Sequence, residues 1–111
     1  NRFENQNIHF EYDSDVLTAM AKQLLKEKAA WLMANSGVSV LIEGHCDERG
    51  TTEYNLALGE RRATAAKAYL VNLGVAASRL DIISYGEEKP LDTSGTEEAY
   101  RKNRRAQFVL Q

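Results

Sequence analysis

Cysteine, long apolar runs and excess positive charge are scarce or missing in this chain, and each absence excludes a class of protein. The single cysteine, Cys46, rules out an internal disulfide and a cysteine-rich zinc site. No stretch reaches the roughly 18 consecutive apolar residues of a transmembrane helix. Fourteen basic against sixteen acidic residues give a formal net charge of −2. The chain therefore lacks a general positive field, and we expect no nucleic-acid partner.

What is present is enough apolar sequence for one core and a regular succession of strand and helix patterns. With 111 residues and 43% hydrophobic content, we expect a single domain spanning residues 1–111. Alternating or β-branched apolar residues predict strands at 8–12, 38–43, 80–85 and 105–111. Apolar residues at helical spacing behind capping residues predict helices at 17–32, 51–73 and 96–103. The only proline, Pro90, lies in a predicted loop at 87–95.

The order of these elements predicts the architecture. A helix between successive strands favours a β-α-β-α-β-α-β chain whose sheet is parallel in part. We therefore expect an α+β fold, a two-layer sandwich with a mixed four-stranded sheet and helices packed on one face. On the first long helix, Met20 and Trp31 lie on the apolar stripe, and we expect both in the core.

Residues 41–63 form a predicted strand, a charged loop and a helix, and this stretch carries one unusual side chain. Projected at about 100° per residue, the helix places Gly59 and the apolar residues that follow it on one inward stripe. Arg62 falls on the same side, whereas Arg61 faces solvent. A buried guanidinium is unfavourable without a partner. We therefore expect Arg62 to meet a carboxylate from the protein or from a ligand.

Two plainer interpretations stay open from the residues alone. Asp47, at the end of the predicted strand, and Arg62 could form a structural ion pair that steadies the loop. An enzyme would draw on the histidines and the cysteine, but adjacent His45 and Cys46 point to opposite faces of a strand. The sequence has no zinc-protease, nucleophile-elbow or phosphate-loop motif. We expect neither catalysis nor a metal or other cofactor.

Ordered motifs along the chain resemble a known family. The central stretch, residues 43–63, reads EGHCDERGTTEYNLALGERRA. Around it stand I-x-F-x-Y-D at 8–13, G-V-x-x-x-R-L at 74–80, S-Y-G-E-x-x-P at 84–90 and N-R-R-A at 103–106. Together they resemble the OmpA-like peptidoglycan-binding domain over nearly the whole chain. The family's sheet with helices on one face agrees with the architecture predicted above.

The resemblance implies non-covalent binding of the peptidoglycan stem peptide through the end of its diaminopimelate side chain. In the family, the acidic residue after G-H-x pairs with the ligand ammonium, and the arginine of the L-x-x-x-R-A helix pairs with the ligand carboxylate. These positions are Asp47 and Arg62. A planar guanidinium suits a carboxylate because it can donate two parallel hydrogen bonds. The resemblance also implies a secondary set of binding residues: Tyr12, Asp13, Glu48, Thr51, Asn55, Leu58, Asn103 and Arg104.

The amino-acid sequence of the central stretch most resembles the lipoprotein branch of the family. That branch implies a periplasmic protein anchored in the outer membrane through a lipidated N-terminus, which we expect to lie upstream of this chain. It implies a tether between outer membrane and cell wall within a Tol-type envelope system. Members of the branch also bind the periplasmic β-propeller TolB. The alternative function is therefore a periplasmic protein-interaction module, with a TolB-like partner, whose wall binding is secondary.

Overall fold

The computed structural model describes residues 2–111, which form four strands, four α-helices and one 3₁₀ helix. The strands are β1 (Ile8–His9), β2 (Val40–His45), β3 (Leu80–Gly86) and β4 (Arg105–Leu110). The helices are α1 (Arg2–Asn5), α2 (Ala19–Ala34), α3 (Thr52–Asn72) and α4 (Glu97–Asn103), and the 3₁₀ helix is Ala77–Arg79. In residues 2–111, no helix is long and apolar enough to cross a membrane.

The sheet has the strand order β1-β4-β2-β3 and is mixed. Strands β2 and β3 are parallel, whereas β4 is antiparallel to both β2 and β1. Helix α3 packs across β2 and β3, and α2 packs beside α3. A helix between two parallel neighbours is the usual crossover, because parallel strands need a long connection. The α+β fold and the mixed four-stranded sheet are confirmed.

The hydrophobic core lies between the sheet and helices α2 and α3. Alternation along β2 turns Val40 and Ile42 inward, and both are fully buried. The inward stripe of α3, from Gly59 to Leu70, packs on them as the periodicity predicts. Burial of such side chains contributes about 1.5–3 kcal/mol each, which makes this layer the main source of stability.

Two features of the N-terminal region differ from the sequence prediction. Helix α1 was not expected in a polar segment, but its Phe3 is buried and stacks on Trp31 with ring centroids 4.7 Å apart. The predicted strand at 8–12 ends at His9. Its next two residues turn their carbonyls to arginine side chains: that of Phe10 accepts from Arg104 and that of Glu11 from Arg62. Both carbonyls thus accept from side chains, while the N–H of Phe10 still donates to the main-chain carbonyl of Arg104 at 3.0 Å.

Helix α2 also begins later than predicted. Its N-cap is Thr18, whose hydroxyl accepts the backbone N–H of Ala21 at 3.1 Å. Trp31 is half-buried and packs against the core, but Met20 is 69% exposed, so its predicted core position is wrong. The buried stripe of the helix begins at Ala21 in the same turn, and Met20, one residue earlier and about 100° around the helix, lies beside that stripe.

Candidate functional site

Three segments meet at the end of β2 and enclose a cleft of about 120 Å³. They are the chain after β1, the loop after β2 and the first turns of α3. Ten residues line the cleft: Tyr12, Asp13, Cys46, Asp47, Arg49, Gly50, Tyr54, Asn55, Leu58 and Arg62. Six of them were predicted as binding residues, so the fold brings most of the predicted site together.

Asp47 presents the buried carboxylate of the cleft, with only 4% of the residue exposed. Its Oδ1 accepts the backbone N–H of Arg49 at 3.0 Å and the Nε–H at 3.2 Å. Its Oδ2 accepts from Arg49 Nη2 at 2.8 Å and from Arg104 Nη1 at 3.2 Å. Burial alone raises the pKa of Asp47, but these hydrogen bonds outweigh it and leave the pKa below its usual value. The carboxylate is therefore ionised at neutral pH.

Arg62 presents a buried guanidinium opposite, with 1% of the residue exposed. It donates Nε–H to the carbonyl of Ser14 at 2.9 Å, Nη1–H to that of His45 at 2.9 Å and Nη2–H to that of Glu11 at 3.1 Å. Burial lowers the pKa of Arg62, but a guanidinium stays charged in proteins. Three of its five N–H groups are thus used within residues 2–111, and two have no hydrogen-bond acceptor there.

The expected carboxylate partner of Arg62 is not found among residues 2–111. No carboxylate lies within 4.0 Å of its guanidinium, so the structural Asp47–Arg62 ion pair does not form. Three main-chain carbonyls accept hydrogen bonds from the guanidinium instead. They lie on the chain at both sides of the cleft and point toward Arg62. A sequence pattern cannot show such backbone acceptors.

Two further arginines complete the surroundings of Asp47. Arg104 is 4% exposed and bridges Asp47 and the carbonyl of Phe10, so this secondary prediction lies behind the cleft wall. Arg49 was missed. Its guanidinium lies 4.1 Å from the ring centroid of Tyr12 and 4.4 Å from that of Tyr100. An aspartate side chain often accepts from the backbone two residues later. The position of Arg49 two residues after Asp47 was therefore the one feature of the sequence that could have indicated their contact.

The rim and floor of the cleft hold four of the secondary predictions. Tyr12 is 58% exposed at the rim, and Asp13 accepts a hydrogen bond from the hydroxyl of Tyr54. Leu58 is buried in the floor. Asn55 donates to the carbonyl of Arg49 at 3.0 Å, which holds the loop after β2 against the helix.

Like Arg104, three other secondary predictions do not line the cleft. Thr51 caps α3 through its hydroxyl, which accepts the N–H of Tyr54 at 3.1 Å. Glu48 is exposed. Asn103 uses its amide within the neighbouring loop: its oxygen accepts the N–H of Leu91 at 2.7 Å, and its nitrogen donates to the carbonyl of Asp92 at 2.8 Å.

The histidine and cysteine of the central stretch have structural partners. His45 is buried on the sheet and hydrogen-bonds Glu43 at 3.0 Å, and burial lowers its pKa. The thiol of Cys46 donates to the carbonyl of Asn55 at 3.2 Å, and burial raises its pKa, which disfavours the reactive thiolate. Within residues 2–111, no group of three or more potential ligands is arranged to hold a metal ion.

Comparisons with known proteins place this geometry in a family. The model of the OmpA family matches residues 9–104. The chain is 47% identical over 103 residues to the peptidoglycan-associated lipoprotein of Brucella melitensis, covering 93% of this chain and 61% of that protein. It is 50% identical over 99 residues to that of Haemophilus influenzae, covering 89% and 65%. The chain thus spans less than two thirds of the length of these relatives.

Solved structures agree with the sequence relatives. The crystal structure of the peptidoglycan-associated lipoprotein from Burkholderia pseudomallei has a TM-score of 0.92 at 38% identity, covering 96% of this chain and 91% of that one. The C-terminal domain of Helicobacter pylori MotB has a TM-score of 0.89 at 21% identity, covering 96% and 84%, a likeness of fold. The names of the lipoprotein relatives describe an association with peptidoglycan. The family match and these relatives together show that the chain belongs to the OmpA family.

Proposed function

We propose that this domain binds peptidoglycan non-covalently by holding the end of the diaminopimelate side chain between Asp47 and Arg62. One observation carries the proposal: a buried, ionised carboxylate and a buried guanidinium with unused N–H groups line the same small cleft. The end of the diaminopimelate side chain is a zwitterion, with an ammonium and a carboxylate on one carbon. It therefore offers one charge to each residue.

The cleft suits a small head group and not a whole sugar. Its volume of about 120 Å³ is well below the roughly 300–1,000 Å³ of pockets that hold drug-sized ligands. The apolar side chain of Leu58 also lines the cleft, where it can contact the methylene chain of the ligand. The exposed ring of Tyr12 extends this contact at the rim.

The relatives support the wider proposal. They are named peptidoglycan-associated lipoproteins, or Pal. We extend the proposal to a periplasmic domain anchored to the outer membrane through a lipidated segment, where it tethers that membrane to the wall in a Tol-Pal type system. A TolB-like protein is the proposed protein partner and rests on the likeness to Pal alone.

Sedimentation with purified sacculi tests the proposed site. Asp47→Asn keeps the shape of the side chain and an acceptor for the Arg49 N–H but removes the charge. Because the loss of a buried charge pair usually costs 2 kcal/mol or more, we expect binding to fall at least about tenfold. Asp81→Asn, at an exposed position of β3, is the control with the same change in net charge. Equal sedimentation of both variants, each shown to be folded by thermal melting, would refute the site.

A further inference from the structure

The carboxylate of Asp47 is already occupied by a cation of the protein. The side chain of Arg49 reaches both of its oxygens, at 3.2 Å from Nε and 2.8 Å from Nη2. This paired geometry is the strong form of a charge-assisted hydrogen bond. An ammonium arriving from solvent therefore meets an ion pair and not a free anion.

The two arginines on Asp47 differ in how firmly they are held. Arg104 has only 5% of its side chain exposed and is fixed by the carbonyl of Phe10 at 2.9 Å. Arg49 has 33% of its side chain exposed and reaches Asp47 from the cleft, which it lines. Arg104 is fixed behind the cleft wall, and Arg49 is the removable partner.

The surroundings offer Arg49 a second position. A carboxylate oxygen of Glu97 lies 3.8 Å from its Nη1. The rings of Tyr12 and Tyr100 lie on its guanidinium and stabilise a cation without fixing its rotation about the stack. Release from Asp47 would therefore leave Arg49 paired and stacked.

We propose that Arg49 is a specificity-determining residue of the cleft, an internal cation that a ligand ammonium must displace from Asp47. This role rests on the proposed function, because it concerns the same site. Exchange of one cation for another at Asp47 brings little net gain. A bare amine is therefore a poor competitor, whereas a zwitterion gains a second contact when its carboxylate meets Arg62.

The charge balance around Asp47 favours the same class of ligand. The guanidinium groups of Arg49, Arg62 and Arg104 surround the buried carboxylate of Asp47, while the carboxylate of Glu97 lies 3.8 Å from both Arg49 and Arg104 and Asp13 lines the cleft. A zwitterion adds no net charge, and its carboxylate is attracted to these guanidinium groups, whereas a ligand with an ammonium alone adds one positive charge that they repel. Arg49 thus lowers the affinity of the cleft for stem peptides that end in lysine more than its affinity for those that end in diaminopimelate.

Calorimetric titration of the folded chain with two synthetic stem tripeptides tests this role. One tripeptide ends in meso-diaminopimelate and the other in lysine. Arg49→Gln should bind the diaminopimelate peptide about fivefold to tenfold more tightly than the wild type, since a competing contact is gone. Its affinity for the lysine peptide should rise by a larger factor, so that discrimination falls. Arg49→Lys, which keeps the charge but not the paired geometry, should lie in between.

Arg2→Gln is the control for net charge, because Arg2 forms an exposed ion pair with Glu27 and lies outside the cleft. It should bind as the wild type does. Unchanged or weaker binding of the diaminopimelate peptide by Arg49→Gln, or unchanged discrimination, overturns the role of Arg49 while the proposed function stands. A wild-type domain that binds neither tripeptide overturns the proposed function itself.

Discussion

The guanidinium of Arg62 has a structural role as well as a proposed binding role. Its three hydrogen bonds join the end of β2 to the chain after β1. These are the segments that form two walls of the cleft. Replacement of this residue therefore changes both the site and the stability of the fold.

Arg62→Ala should lower the free energy of unfolding by about 2–4 kcal/mol, because it leaves a cavity and three carbonyls without their donor. Arg61→Ala is the matched control on the same helix. Arg61 is half-exposed and pairs with Asp15 at 3.1 Å, and such surface pairs contribute less than about 1 kcal/mol. Urea denaturation of both variants measures the difference. Equal stabilities would contradict the structural role of Arg62.

At the scale of elements, α3 touches the sheet with its backbone. A Cβ added to Gly44 of β2 would lie 1.7 Å from the carbonyl oxygen of Gly59, and one added to Gly59 would lie 2.3 Å from Ser84 Oγ. Both positions therefore require glycine for close approach and not for an unusual backbone angle. This contact sets the distance between the end of β2, which carries Asp47, and the helix turn that carries Arg62.

Gly44→Ala should destabilise the domain by about 3 kcal/mol or more, because backbone cannot move aside as a side chain can. Gly37→Ala is the control, since no atom lies within 4 Å of the added Cβ there. That change should leave the melting temperature near the wild-type value. Thermal melting tests the pair. A Gly44→Ala domain as stable as Gly37→Ala would contradict the close helix–sheet contact.

The long elements could be predicted because each has a periodic burial pattern of its own. The inward positions of Arg62 and Gly59 followed from the same pattern on α3. The late start of α2 could not be predicted, because Thr18 competes with several earlier capping residues and only tertiary contacts select it. The carbonyl partners of Arg62 depend on segments that the fold brings together, and local sequence patterns carry no information on them. The pairing of Arg49 with Asp47 lies within one loop, and its spacing of two residues was the local signal for it.

At the scale of the whole molecule, the N-terminal helix closes the core over a buried lysine. Lys28 of α2 is 4% exposed, donates to the carbonyl of Phe3 and lies 4.5 Å from the ring centroids of Phe3 and Phe108. Burial lowers the pKa of Lys28 from 10.5 to about 8. The folded state therefore releases this proton at lower pH than the unfolded chain does, and this ammonium opposes folding at neutral pH.

Lys28→Met should raise the free energy of unfolding by about 1 kcal/mol near pH 7. The pKa difference corresponds to a desolvation penalty of roughly 3 kcal/mol for the Lys28 ammonium, which the substitution removes. This gain exceeds the free energy lost with the hydrogen bond and the ring contacts of Lys28. The gain should shrink as the pH rises above 8, where the wild-type amine becomes neutral in the folded state. Urea denaturation near pH 7 and about pH 9.5 tests this, with Lys26→Met at an exposed position as control. A gain that does not change with pH contradicts the buried ammonium.

The central claim is that the cleft between Asp47 and Arg62 recognises the zwitterionic end of diaminopimelate. The most direct test is a titration of the isotope-labelled wild-type domain with a diaminopimelate stem peptide, followed residue by residue by NMR and repeated with the lysine peptide. We predict saturable shifts at Asp47, Arg49, Asn55 and the side-chain Nε–H of Arg62, and much weaker shifts with the lysine peptide. Equal responses to both peptides, or shifts confined to residues outside the cleft, would contradict the claim.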